Sequence, residues 1–106
     1  MTAPLTSRDI IIEVPSIEPA TAFYERLGMT VFLREGTIVG LEAGAFRLFV
    51  EEGIRAGPVF EVFVADVDVA KADLVADGCT IVDDDPSIPR CYVRDPFGLT
   101  FNLAAR

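Results

Sequence analysis

The chain repeats itself at an offset of 50 residues, and this repeat limits the folds that it can form. The alignment places EVPSIEPATAFYERLGMTV (13–31) on FVADVDVAKADLVADGCTI (63–81), with five identities in 19 positions. Each segment has a good helix-capping residue, Ser16 or Asp66, before apolar residues at helical spacing. Each helical run ends at a glycine, Gly28 or Gly78, where a helix needs a C-terminal stop. Because caps, apolar stripes and stops all coincide, the repeat predicts a duplicated module.

Each module is predicted to contain a strand, a helix and three further strands. In the first module we expect strands at 8–14, 29–34, 37–42 and 45–51, and a helix at 17–27. In the second we expect strands at 59–65, 79–83, 90–94 and 99–104, and a helix at 67–77. The polar, proline-rich stretch DDDPSIP (83–89) is predicted to be an irregular loop. The length of 106 residues predicts a single domain, with modules 8–52 and 59–104 joined by a short linker at 53–58.

The last two strands are predicted to form a hairpin. The stretch YVRDPFGLTFNL (92–103) has apolar residues with a period of two on both sides of Asp95-Pro96-Phe97-Gly98. Pro96 fixes φ at the second position of that turn, and we expect a positive φ at Gly98.

The residue types that are absent exclude several kinds of chemistry. The chain has no histidine, which rules out Ser-His-Asp and Cys-His catalysis and removes the commonest ligand of zinc, iron, nickel and copper. Cys79 and Cys91 have no second pair of cysteines, so a cysteine zinc cluster is also excluded. We expect both cysteines to be free thiols.

The charge and the termini bear on partners and location. Seventeen acidic and nine basic residues give a net charge of −8, which would repel a phosphate backbone, so we expect no nucleic-acid partner. The apolar runs are too short to cross a membrane, and MTAPLTSRD at the N-terminus has neither a basic leader nor a hydrophobic segment. We therefore expect a cytoplasmic protein with no membrane partner.

The duplicated βαβββ modules, FYERLG at the end of the first helix and the VRDPFGLTFNL hairpin together resemble the vicinal oxygen chelate superfamily. The glyoxalase-like and bleomycin-resistance branches are the most similar in character, and the resemblance covers nearly the whole chain. It implies an α+β fold in which two βαβββ modules form cupped mixed sheets with helices on the outer face. It implies little about function, because the superfamily contains lyases, epimerases, dioxygenases and metal-free drug-binding proteins.

Metalloenzymes of this superfamily place four ligands inside the cup. The resemblance assigns those four positions to Asp9, Arg47, Val59 and Asn102 in this chain. Arg47 adds a positive charge, Val59 has no donor atom and Asn102 is a weak neutral ligand. One carboxylate, that of Asp9, cannot hold a transition metal alone, so we expect neither a metal nor another cofactor.

Strand alternation places further side chains on the same sheet face as these four positions. The candidate ligand-binding set is Asp9, Glu13, Arg47, Phe49, Val59, Glu61, Phe63, Tyr92, Arg94 and Asn102. The opposite face is apolar and is expected to pack under the helices as the core. Two interpretations of Arg47 remain open: it pairs with Asp9 or Glu13 and fills the former metal site, or it anchors a ligand.

Three functions are compatible with these residues. The first is a metal-free, antibiotic-resistance-type protein that binds and sequesters a hydrophobic small molecule, with a cation preferred over an anion. The second is a small-molecule enzyme, a lyase, isomerase or dioxygenase-like protein, in which Glu13 or Glu61 acts as a general base. The third is a structural or regulatory domain whose cup is filled by its own side chains. We expect the first, without catalytic residues, and as a homodimer, because each module exposes a half-cup that must be covered.

Overall fold

The predicted order of strands and helices is present in the computed structural model, which describes residues 3–54 and 57–106. The first module consists of β1 (Leu5–Val14), α1 (Ile17–Arg26), β2 (Thr30–Glu35), β3 (Ile38–Glu42) and β4 (Arg47–Glu52). The second consists of β5 (Val59–Val64), α2 (Val67–Ala76), β6 (Thr80–Asp85), β7 (Arg90–Arg94) and β8 (Thr100–Ala105). Over these described ranges, no helix is long and apolar enough to pass through a membrane.

The chain divides into two compact units, each with a mixed sheet of four strands. The first unit covers residues 8–58, and its strand order is β2-β3-β4-β1, with β1 parallel to β4 and the other pairs antiparallel. The second unit covers residues 59–106 together with the start of the chain up to residue 7. Its order is β5-β8-β7-β6, with β5 parallel to β8 and the other pairs antiparallel. The equivalent order and sense of the two sheets confirm the duplicated βαβββ module.

Each unit buries the helix-facing side of its own sheet. The core of the first unit is built from buried residues of β3 and β4, namely Val39, Leu41, Leu48 and Val50, with Ile10, Ile12, Val14, Ile17, Ala20 and Tyr24 packed against them. The core of the second unit contains Val64, Cys91, Val93 and Leu103, with Val62, Val67, Ala70, Leu74 and Phe101 packed against them. These core sets confirm the expectation that the sheet face opposite the candidate ligand-binding residues packs under the helices.

The two helices begin and end at the predicted signals. Gly28 and Gly78 have φ values of +102° and +100°, the left-handed region in which glycine is favoured, so both stops are confirmed. Asp66 caps α2, because its Oδ1 accepts a hydrogen bond from the Val69 N–H at 3.0 Å. Ser16 has the extended backbone of a cap but makes no side-chain capping hydrogen bond. The predicted side-chain cap is therefore present only in the second module.

The sequence predicted a loop over 83–89, but β6 continues through Asp85, so only part of this segment is a loop. Its carboxylates are held by neighbouring cations: Asp84 bonds to Lys71 Nζ at 2.6 Å, and Asp83 lies 3.4 Å from Arg90 Nη1. These partners allow an acidic run to pair with β7 as a strand. The loop is limited to the residues between β6 and β7.

The turn before the last strand has the predicted geometry. Asp95 Oδ1 accepts hydrogen bonds from the N–H groups of Phe97 and Leu99, both at 2.9 Å. The Gly98 N–H donates to the Asp95 carbonyl at 3.2 Å, and the φ of Gly98 is +105°. The hairpin is confirmed by the antiparallel pairing of β7 with β8.

Candidate functional site

In the first unit, Asp9 and Arg47 form a two-point ion pair. The parallel register of β1 and β4 places the two residues opposite each other. Arg47 Nε donates to Asp9 Oδ1 at 2.8 Å, and Arg47 Nη2 donates to Asp9 Oδ2 at 2.9 Å. The hydrogen bond to this carboxylate raises the pKa of Arg47 above its ordinary value. Of the two interpretations of Arg47, the geometry supports pairing with Asp9.

Two aromatic rings complete the surroundings of Arg47. Its guanidinium carbon lies 5.3 Å from the ring centroid of Phe32 and 5.5 Å from that of Phe49. The two rings meet edge to face, with centroids 5.8 Å apart. A guanidinium over aromatic faces is held by cation–π attraction in addition to its ion pair. The first unit therefore presents a cluster of Asp9, Arg47, Phe49 and Phe32.

Phe32 was not in the predicted set, although a sequence signal for it exists. The register of β2 with β3 shifts between Val31 and Leu33, so simple alternation fails at Phe32. The ring lies over Gly40, where an added Cβ would come within 2.8 Å of Phe32 Cζ. A glycine inside a strand can mark such a close approach.

Glu13 and the pair Arg8–Glu42 supply further charge in the first unit. Glu13 lies opposite Glu51 in the register of β1 with β4, and its side chain occupies the space beside Gly53. The carboxylate of Glu42 accepts hydrogen bonds from both terminal nitrogens of Arg8, at 2.6 and 2.9 Å. The Arg8 bond and the Gly44 N–H lower the pKa of Glu42 to about 2. This pair was not predicted, because Arg8 stands at the margin of the predicted strand.

In the second unit, Glu61, Asn102 and Tyr92 form one row across β5, β8 and β7. Asn102 Nδ2 donates to Glu61 Oε1 at 3.0 Å, and Asn102 Oδ1 accepts from the Cys91 N–H at 2.9 Å. Asn102 is 7% exposed, and its bond to the Cys91 N–H is buried, whereas its bond to Glu61 is partly buried. The amide thus links the backbone of β7 to the carboxylate of β5.

The remaining predicted residues of the second unit differ in exposure. Tyr92 and Val59 are buried, and the Arg90 guanidinium carbon lies 5.0 Å from the Tyr92 ring centroid. Phe63 is partly buried, with the guanidinium carbon of Arg106 at 6.0 Å from its ring centroid. Arg94 is exposed at the end of β7. Val59 and Tyr92 are therefore enclosed by their neighbours, whereas Phe63 is partly accessible and Arg94 is exposed.

The residues at the four former metal positions do not fit a transition metal. In residues 3–54 and 57–106, no three His, Cys, Asp or Glu side chains lie together as a metal site. Both oxygens of Asp9 accept from Arg47, and the side-chain oxygen of Asn102 accepts from the Cys91 N–H. Val59 has no donor atom. The donors that remain are therefore engaged within the protein.

The two cysteines of the second unit are free thiols, as predicted. Cys91 is buried and lies opposite Asp84 in the register of β6 with β7. Burial raises the pKa of both Cys79 and Cys91 above the ordinary value, so neither is an activated thiolate.

Comparisons with known proteins identify the fold. Neither a family model nor a curated protein sequence matches the chain. A hypothetical protein from Bacillus halodurans C-125 has a similar structure, with a TM-score of 0.71 and 16% identity over 99% of this chain and 96% of that chain. A glyoxalase/bleomycin resistance protein/dioxygenase superfamily member from Vibrio splendidus 12B01 matches with a TM-score of 0.63 and 16% identity over 98% of each chain. The chain therefore has the vicinal oxygen chelate fold that the glyoxalase and bleomycin-resistance proteins share.

Proposed function

We propose that this protein binds and sequesters a hydrophobic small molecule without a metal, and that it prefers a cation to an anion. The observation that carries the proposal is the pairing at the former metal positions. Asp9 is bonded to Arg47 at two points, and Asn102 is bonded to Glu61 and to the backbone of β7. Because these side chains are hydrogen-bonded within the protein, they do not form a set of metal ligands. What remains is a polar and aromatic face on which a small molecule can bind.

The preference for a cation follows from the charges on the candidate face. Arg47 is balanced by Asp9, so its charge is already matched before any ligand arrives. The candidate set also contains the carboxylates of Glu13 and Glu61, on the first strands of the two modules. Acidic residues outnumber basic residues in the set, since Asp9, Glu13 and Glu61 stand against Arg47 and Arg94, and this excess favours a cation or a hydrogen-bond donor over an anion. Phe49 and Phe63 add aromatic surface that a hydrophobic molecule can contact.

Sequestration is favoured over catalysis by the positions of the polar groups. The sequence has no histidine, and the Glu61 carboxylate is oriented by the Asn102 amide. A binding protein needs only an apolar surface and a few polar anchors for its ligand.

We also propose that the protein acts as a homodimer.

The proposal is tested with two ions of the same shape and opposite charge. Calorimetric titration is carried out with tetraphenylphosphonium and with tetraphenylborate, each with and without EDTA. We expect the cation to bind, the anion to bind weakly or not at all, and EDTA to change neither result. Natural-product antibiotics that carry a cationic group are then screened by thermal shift.

Variants connect the binding to the candidate face. Glu61→Gln should weaken binding of the cation by about 10- to 100-fold, since a charge-assisted hydrogen bond contributes roughly 1.5–3 kcal/mol. Glu25→Gln changes the net charge equally on the exposed surface of α1 and should leave affinity unchanged. Tighter binding of the anion, or unchanged affinity in both Glu13→Gln and Glu61→Gln, would contradict the proposal. Chemical alteration of a bound compound, detected by mass spectrometry, would instead favour the enzyme alternative.

A further inference from the structure

Helix α2 borders an open groove of about 410 Å³ in the second unit. The floor and walls are apolar, and three carboxylates stand along the helix. The main lining residues are Val62, Val64, Asp66, Val69, Ala70, Asp73, Leu74, Asp77, Phe101 and Leu103. The strand residues in this groove alternate with Glu61 and Asn102, so the groove lies on the other face of the sheet from the candidate ligand-binding set. We call it the α2 groove.

The two modules differ in the side chains that pack between helix and sheet. Three positions that pack between helix and sheet are larger in the first module than at the equivalent places in the second. The pairs are Ile17 and Val67, Tyr24 and Leu74, and Met29 and Cys79. Of the three second-module residues, Leu74 lines the groove, and its side chain is smaller than that of Tyr24 at the equivalent place, so it covers less of the apolar surface beneath the helix.

The equivalent edge of α1 carries exposed apolar side chains at positions where α2 carries carboxylates. Asp73 and Asp77 of α2 correspond to Phe23 and Leu27 in the first module. These two apolar side chains are 50% and 62% exposed. Arg26 accompanies them, with its guanidinium carbon 5.9 Å from the Phe23 ring centroid. Phe23, Arg26 and Leu27 form an exposed apolar and cationic strip, which we call the α1 ridge.

We infer that the α1 ridge of one copy docks into the α2 groove of a second copy. The apolar side chains of the ridge match the apolar lining of the groove, and Arg26 meets the carboxylates of Asp73 and Asp77. An aromatic residue with an arginine is the composition typical of an interface hot spot. Opposite charges at the rim set the orientation of the contact. Docking would also cover exposed Phe23 and Leu27, which otherwise form a patch prone to association.

We infer that the occupant is a second copy of this chain, because the α1 ridge and the α2 groove lie on equivalent helices of the two modules. At the positions where α1 has Phe23, Arg26 and Leu27, α2 has Asp73, Ala76 and Asp77, so one chain carries both an apolar, cationic ridge and an acidic groove. Two ridges in two grooves make a closed dimer, whereas a one-way contact makes an open chain. The contact gives an interface to the homodimer proposed above and rests on that part of the proposed function. It uses none of the candidate ligand-binding residues, so its failure would leave the proposed ligand binding untouched.

The experiment is a reciprocal charge exchange, read by sedimentation velocity. Wild-type protein at micromolar concentration should sediment with about twice the 11.5 kDa mass of one chain. Arg26→Glu alone, and Asp73→Lys with Asp77→Lys, should each weaken self-association by about 10-fold or more, because like charges then face each other. An equimolar mixture of these two proteins should associate again, because both ridge–groove contacts then join opposite charges.

An apolar control separates this contact from general hydrophobic association. Phe23→Ser should weaken association, whereas Phe97→Ser should not, although Phe97 is 95% exposed in the hairpin turn. Circular dichroism of each variant checks that it is folded, and the mixture of charge variants tests the contact between two separately purified proteins. Monomeric wild-type protein, association that neither Arg26→Glu nor Phe23→Ser weakens, or a mixture that stays monomeric would overturn the inference. An open chain that the same variants disperse would support it.

Discussion

Asn102 carries an amide because its two neighbours require one donor and one acceptor. The Cys91 N–H needs an acceptor, and the Glu61 carboxylate accepts a hydrogen bond from the Asn102 nitrogen. A carboxylate at this position would satisfy the N–H but would face a second carboxylate. The amide at position 102 thus matches the donor and the acceptor that the two neighbouring strands present.

The substitution Asn102→Asp should destabilise the protein in a pH-dependent way. Two facing carboxylates raise the folded-state pKa of one of them above its unfolded value of about 4, so the folded state binds the extra proton. The loss of stability, about 1–3 kcal/mol at pH 7, should therefore diminish as the pH falls toward 4 and below. Urea denaturation across pH 3–8 measures this.

A second substitution provides the control for Asn102→Asp. Glu61→Gln in the same chain restores a donor opposite the new carboxylate, so Asn102→Asp with Glu61→Gln should recover most of the lost stability at pH 7. A loss that is independent of pH, or one that Glu61→Gln does not reduce, would show that the repulsion is not its cause.

At the scale of elements, the two helices show that equivalent capping residues need not cap equally. Asp66 accepts a hydrogen bond from the Val69 N–H, whereas Ser16 makes no side-chain capping bond. The carboxylate also lies at the positive end of the α2 dipole. The local sequence signal marked both helix starts, but only one side chain forms the bond.

This difference predicts unequal effects of alanine at the two caps. Asp66→Ala should lower the free energy of unfolding by about 1 kcal/mol, whereas Ser16→Ala should lower it by only a few tenths. Each variant is the matched control of the other, because the two helices have the same length and equivalent places in their modules. Chemical denaturation distinguishes them, and equal losses would contradict the assignment of the cap.

The hairpin turn depends on a backbone conformation that side chains disfavour. Gly98 has a φ of +105°, and no heavy atom would lie within 4 Å of an added Cβ. Gly98→Val should therefore destabilise the protein by about 1 kcal/mol or more through backbone strain and not through a clash. Phe97→Val, in the same exposed turn, should cost much less. Thermal melts compare the two, and an unchanged melting temperature in Gly98→Val would refute the strain.

At the scale of the whole molecule, we predict that the purified protein retains no stoichiometric zinc, nickel or iron. The side-chain oxygens at the former ligand positions accept hydrogen bonds from Arg47 and from the Cys91 N–H, and the sequence has no histidine. The measurement is elemental analysis after dialysis, with a parallel sample first incubated with zinc. Retention of about one metal ion per chain in either sample would contradict the prediction.

Much of the fold follows from local patterns in the sequence. The offset repeat, the glycine stops and the alternation of apolar residues predicted every helix and strand, with boundaries that differ by a few residues. Those signals act locally, because the periods of helix and strand and the φ of Gly28, Gly78 or Gly98 depend on neighbouring residues alone. The resemblance to the vicinal oxygen chelate superfamily rests on the same signals.

Tertiary structure decided which side chains meet. Phe32 joined the Arg47 cluster through an irregularity in β2, and the acidic end of β6 lies where Lys71 and Arg90 pair with Asp84 and Asp83. The bond between Asn102 and Glu61 exists because parallel strands far apart in sequence share one register. The α2 groove likewise reflects the summed volumes of residues from one helix and two strands. Partners across strands, and the space between layers, are set only when distant segments pack, so sequence alone determined the elements and tertiary structure determined their contacts.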